Sequence, residues 1–173
     1  MLSDAIVSRR SIRQYQPRPV EKEKIAQLLE AGLRAPSSRA LFPWEFLVVD
    51  RPELLRQMVA MRQIGSAFIG AAPLAIVVCA DAGQSDTWIE DGAIAAAFMT
   101  LAAETLGLGS CWIQIRGRES AAGKSSETFL RELLHIPDRL TVLCCLAAGY
   151  PAEQKRPREI AALQEEKVHY NTF

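Results

Sequence analysis

Two short basic stretches near opposite ends of the chain carry residues that could do chemistry: Ser8-Arg9-Arg10-Ser11-Ile12-Arg13-Gln14-Tyr15 and Lys155-Arg156-Pro157-Arg158. In the first, hydroxyls sit among three guanidinium groups, and each guanidinium presents a rigid fork of donors that matches phosphate oxygens. Such residues can build a local anion cradle. Read alone, they equally suit a solvated basic loop, so the decision falls to the rest of the chain.

Few other residues compete for a chemical role. The chain has two histidines, and neither pairs with a Ser or Cys plus an Asp in a nucleophilic pattern. His135 follows Leu133-Leu134 at a helix end, which suits a cap, and His169 sits in the tail. Glu90-Asp91 opens a helix, where the dipole favours acidic residues. Cys79, Cys111, Cys144 and Cys145 lie in apolar runs with no zinc-like spacing, and read as reduced core thiols of a cytoplasmic protein. No Walker or G-x-G-x-x-G loop occurs. An enzyme with this inventory would draw its reactive chemistry from a bound cofactor.

Composition narrows the partners. The 173 residues are 49% hydrophobic and fit one domain, 1–173, with a proper core. Twenty basic residues balance twenty acidic ones, leaving no net field to hold nucleic acid or an anionic membrane. A small-molecule substrate is therefore the expected partner. No apolar stretch suits a signal peptide or a membrane span.

The elements that must position the basic stretches follow from periodicity. Ser3 or Asp4 can cap a short helix leading into Arg9 and Arg10. A helix is expected over 21–35, with Ile25, Leu28, Leu29 and Leu33 on one face, ending at Pro36. Strands are expected at 44–49, 74–80, 110–115 and 141–148, and further helices near 53–62 and 126–134. Residues 87–106 read as a helix apolar nearly all round, which calls for cover by a partner subunit or by the monomer's own interior. The pattern gives a mixed α/β or α+β layered domain. Residues 159–173 have too few apolar side chains for a core of their own, and should pack as an arm on this subunit or its partner.

Read together, the motifs resemble the FMN-dependent nitroreductase family. Four ordered pieces carry the resemblance: Ser8 to Arg13; Ala35-Pro36-Ser37-Ser38 with Pro43-Trp44-Glu45-Phe46; Asp91-Gly92 opening a long apolar helix that ends Leu106-Gly107-Leu108-Gly109 before Cys111-Trp112-Ile113; and Ile136-Pro137 leading to Gly149-Tyr150-Pro151 and the second basic stretch. The tail Val168-His169-Tyr170-Asn171 also fits.

The resemblance implies an α+β three-layer sandwich with a mixed central sheet, an interlocked homodimer with FMN at the interface, and the 159–173 arm wrapped over the neighbour. It assigns Arg9, Arg156 and Arg158 to the FMN phosphate, and Arg10 and Ser11 to the ribityl chain or phosphate. Arg13 would approach the pyrimidine edge and tune the redox potential. Pro36, Ser37 and Ser38 from the other subunit would line the ring, with Ile113 and Gln114 on its opposite side. Gly149 would let the backbone approach the phosphate. The implied activity is ping-pong electron transfer from NADH or NADPH through FMN to a small planar oxidant such as a nitroaromatic or quinone, with no dedicated protein acid or base. Ala40 and Phe42 stand where the family often has Asn and Gln, and the chain is short between Cys79 and Thr87 and between Gly117 and Ser126. A non-catalytic FMN or nucleotide binder, a family member with a different flavin reaction, and a ligand-free protein with surface arginines are the alternatives.

Overall fold

A computed structural model describes residues 4–173. The possible cap Ser3 lies outside them. Five helices, α1 (Asp4–Ser8), α2 (Lys22–Leu33), α3 (Pro52–Met58), α4 (Trp88–Thr105) and α5 (Ser126–Leu134), surround four strands, β1 (Trp44–Val49), β2 (Leu74–Ala80), β3 (Gly109–Gln114) and β4 (Thr141–Gly149). The strands form one sheet in the order β1-β2-β4-β3. All three pairings are antiparallel. The expected mixed sheet is thus corrected: the parallel component shrinks to an isolated bridge between Ser11 and Ser110.

The sheet is the middle of three layers. On one face Leu74, Ile76, Val78, Cys144 and Leu146 pack with Leu28 of α2 and with Ala96, Met99 and Ala103 of α4. On the other, Val77, Cys79, Ile113 and Cys145 pack with Leu55 and Met58 of α3 and Leu130 of α5. Every residue of β2 is buried, because helices cover both faces. An unbroken apolar run usually signals a parallel strand, but here it records two-sided cover of an antiparallel one. Cys144 and Cys145 face opposite layers, as strand alternation requires.

Three local devices set the outer elements. Ser125 caps α5 by accepting from the Thr128 N–H at 2.9 Å, and His135 ends the helix in the left-handed conformation. Tyr150, just after β4, donates its hydroxyl to Glu21 at 2.7 Å, with the Arg18 guanidinium 3.9 Å over its ring. That hydroxyl is the main reason the Glu21 carboxyl is held down to about 2, with Arg18 adding to it.

Helix α4 is buried against the sheet along one side only. Its other side presents Ile94 and Phe98, 38% and 40% exposed, with exposed Ala97 between them. Beyond β4 the chain from Arg156 to Phe173 is exposed throughout, including Ile160, Leu163, Tyr170 and Phe173. Among the described residues, no helix is long and apolar enough to cross a membrane.

Candidate functional site

The first basic stretch reaches its place through a pair of glycines. Gly109 and Gly149 stand opposite each other at the end of the β3–β4 ladder. A Cβ on Gly109 would lie 2.7 Å from the Ile12 side chain, and one on Gly149 would lie 2.5 Å from the Pro73 ring. Their missing side chains let the segment 11–16 lie across the sheet end. The Ile12 N–H donates to the Ser110 carbonyl at 3.0 Å, and the Gln16 N–H to the Tyr150 carbonyl at 2.8 Å. Between them the Tyr15 hydroxyl donates inward to the Ile12 carbonyl at 2.6 Å, and burial pushes its acidity far out of reach of neutral pH. Gly149 thus leaves the room that the Pro73 ring and Tyr15 occupy.

Segments 144 and 146 residues apart in sequence are then stitched by reciprocal bonds. Arg10 donates from Nη1 to the Arg156 carbonyl, and Lys155 donates from Nζ to the Ser11 carbonyl at 2.6 Å. The Glu153 carboxylate accepts from the backbone N–H groups of Arg13 and Gln14, and pairs with Lys155 at 3.2 Å. Those contacts, the Arg13 N–H first, hold its carboxyl below the ordinary range although burial opposes them. Sequence reasoning missed Glu153, Gly109 and the role of Lys155. The one available signal was an acid set just before a basic run.

The stitch uses backbone carbonyls, so it spends no guanidinium on a carboxylate. Among the described residues, Arg9, Arg10, Arg13, Arg156 and Arg158 have no ion-pair partner. Arg10 also holds the second stretch, through the Arg156 carbonyl. Arg10, alone of these five, lines a cavity of about 320 Å³, together with Ser8, Lys155 and the carboxylates Glu104 and Glu153. A donor set of unpaired guanidiniums with the partly buried Ser11 fits a phosphate monoester, whose charge several forks can share. The residues present thus fit the phosphate end of FMN.

The hydroxyl loop is built on a different anchor. Asp91, buried in the first turn of α4, accepts from the Ser38 N–H at 2.8 Å and from the Ser85 hydroxyl at 3.0 Å. The Ser37 hydroxyl accepts from the Phe42 N–H at 2.9 Å. Between these ties the backbone is left-handed at Arg39, Ala40 and Phe42, none of them glycine. Phe42 stays exposed, edge-on to Trp44 with ring centroids 5.7 Å apart. Ala40 and Phe42, which stand where the family often has Asn and Gln, are thus carried on a strained turn.

On β3 the expected pair divides. Ile113 is buried in the core, so its side chain is not presented to a ligand. Gln114 is partly exposed and held on the outer face: the Trp112 indole N–H donates to its Oε1 at 3.0 Å, and its amide donates to the Arg116 carbonyl at 2.9 Å. None of the four thiols is poised for reaction, since burial raises each and holds Cys79 up to about 12.

Within the chain the two halves of the expected pocket do not meet. Ser8, at the head of the basic stretch, donates to Glu104 at the end of α4 at 2.7 Å, whereas Ser38 hangs on Asp91 at its start. Thirteen residues of helix separate those anchors, about 20 Å at 1.5 Å per residue.

Comparison with known proteins fits this geometry. A model described as the nitroreductase family matches residues 6–150. A solved FMN-dependent nitroreductase from Clostridium difficile R20291 superposes with a TM-score of 0.95 at 44% identity, covering 98% of each chain. An Archaeoglobus fulgidus protein provisionally named NADH dehydrogenase/NAD(P)H nitroreductase is 38% identical over 87% of this chain and 85% of its own. The Bacillus subtilis FMN reductase [NAD(P)H] is 29% identical over 98% of this chain and 73% of its own.

Proposed function

The chain belongs to the nitroreductase family, and from that premise we propose that it is an NAD(P)H-dependent flavin oxidoreductase holding FMN in the arginine cradle. The observation that carries this reading is the convergence of the two basic stretches with their guanidiniums unpaired. Arg9, Arg156 and Arg158 bind the phosphate, Ser11 adds a hydroxyl, and Arg10 and Lys155 hold the two stretches together. Arg13 places a cation near the ring and favours its reduced state. Bound FMN supplies a two-electron carrier between the nicotinamide and a second substrate.

The remaining residues position and exclude. Ser37 and Ser38 line the ring from a second copy of the chain, with Gln114 of the first copy against its other side. Two α4 helices packed antiparallel along Ile94, Ala97 and Phe98 bring one copy's Asp91 end beside the other's Glu104 end. That packing makes a homodimer with two complete sites, and covers apolar surface that one subunit leaves wet. The exposed arm 159–173 lies over the neighbour. The turnover is ping-pong, and a small planar oxidant such as a nitroaromatic or quinone occupies the place the nicotinamide leaves.

The test is spectroscopic. Purified protein supplied with FMN should retain a flavin absorption band, elute at twice the mass of its 19.1 kDa chain, and lose the band under anaerobic NADPH or NADH. A protein that retains no flavin, or that runs as a monomer with flavin bound, contradicts the reading.

A further inference from the structure

One cleft outside the cradle carries a charge pattern that FMN binding does not use. It measures about 810 Å³ and is lined by Arg56, Val59, Arg62, Ile64, Ala67 and Phe129, with no carboxylate among its lining residues. Arg62 is partly buried, and among the described residues its guanidinium has no hydrogen-bond or ion-pair partner; Nη1 lies against the loop at Gly65, 3.9 Å from where a Cβ there would sit. Arg56 pairs only loosely, 3.8 Å from the exposed Glu53. A guanidinium at a cleft wall with no protein partner is free to receive an anion.

The rest of the cleft suits the apolar part of such an anion. Ile64 is 82% exposed at its rim. The loop that carries Arg62 and Ile64 is fixed rather than loose: the Gln63 N–H donates to the Glu119 carbonyl at 3.0 Å, and the buried Ser66 hydroxyl to the Val59 carbonyl at 2.8 Å. The volume lies in the range that takes a nucleoside-sized group.

Its position ties it to the proposed reaction. Ala67 lines the cleft, and the next residue of the same 3-10 turn, Phe68, has the Arg13 guanidinium 5.9 Å from its ring centroid. One turn of chain therefore forms a wall shared by cradle and cleft. A dinucleotide with its nicotinamide against the ring near Arg13 would lay its distal end beyond that wall.

We propose that this cleft is the adenylate site of the nucleotide reductant, with Arg62 and Arg56 binding the 2′-phosphate, so that the protein prefers NADPH to NADH. The inference rests on the flavin oxidoreductase reading above. A 2′-phosphate adds a dianion where NADH has a neutral hydroxyl, and a partly desolvated guanidinium distinguishes the two by a charge-assisted pair.

The experiment uses the FMN-loaded dimer, its flavin content first read by absorbance, and titrates it calorimetrically with 2′,5′-ADP and with 5′-AMP. Wild-type protein should bind 2′,5′-ADP about tenfold more tightly, the scale of one charged hydrogen bond. Arg62→Ala should abolish that preference, and should raise KM for NADPH about tenfold more than KM for NADH. Equal affinity of the wild type for the two nucleotides overturns the proposal, as does a variant that shifts both KM values alike. Should Arg62→Ala fold poorly, Arg56→Ala and Arg62→Gln make the same comparison, and the wild-type titration stands without any variant. Protein that takes up no FMN contradicts the oxidoreductase reading itself, whereas loaded protein without nucleotide discrimination contradicts only the cleft.

Discussion

The arginine cradle and the hydroxyl loop would meet on one cofactor, yet they are held in place by opposite means. The cradle is set by shape: Gly109 and Gly149 open the end of the sheet, and backbone bonds lay the first basic stretch into the opening. The loop is set by charge: one buried carboxylate, Asp91, holds a turn whose backbone is left-handed at three non-glycine residues. The cradle should therefore fail when atoms are added. The loop should fail when an acceptor is taken away.

The largest effect tests the first half of that contrast. Gly149→Ala places a methyl 2.5 Å from a proline ring that cannot rotate aside. We expect a loss of about 3 kcal/mol in chemical denaturation, at the upper end of overpacking costs, together with weakened FMN retention. A variant of wild-type stability would show that shape does not set the cradle. Asp91→Ala comes next, leaving the Ser38 N–H and the Ser85 hydroxyl without their acceptor. It should cost about 2 kcal/mol and admit protease at the loop while the cradle stays intact.

Glu153→Gln is a smaller perturbation with a pH signature. The folded-state pKa of Glu153 is depressed, so its contribution is present above its ordinary value of 4.5 and lost as pH falls through the folded pKa. Wild type should exceed the variant by about 1 kcal/mol at pH 7, and the gap should close in acid. A gap that persists at low pH would assign the effect to packing. The smallest expected change is a gain: Ala40→Gly relieves a left-handed alanine and should stabilise by about 0.5 kcal/mol, glycine's entropy offsetting part of the relief. A loss there would mean that the loop is not strained.

How legible each region was in the sequence follows from the same contrast. Strands β1 and β2 fall on the expected residues, because apolar runs bounded by Pro43, Asp50 and Pro73 leave little freedom. The stop at His135 was equally plain, since capping chemistry is local. Strand direction was not, because β2 is covered on both faces and its pattern is the one a parallel strand would show. In the site, residue types pointed to the arginines of the proposed cradle, but which of them tie the two stretches together was hidden. Arg10 and Lys155 bond to backbone carbonyls across the chain ends, and no spacing encodes such a contact. Ile113 and Gln114 are neighbours on one strand, and alternation alone sends the first into the core and leaves the second outside.

The central claim is that the guanidiniums left unpaired by the stitch hold the cofactor phosphate. The most direct measurement is an FMN titration of wild type against the Arg9→Ala, Arg156→Ala double variant, followed by flavin fluorescence at matched thermal midpoints. Two charge-assisted contacts removed should weaken FMN binding by about a hundredfold or more, with folding little changed. Equal FMN affinity in the two proteins would contradict the cradle.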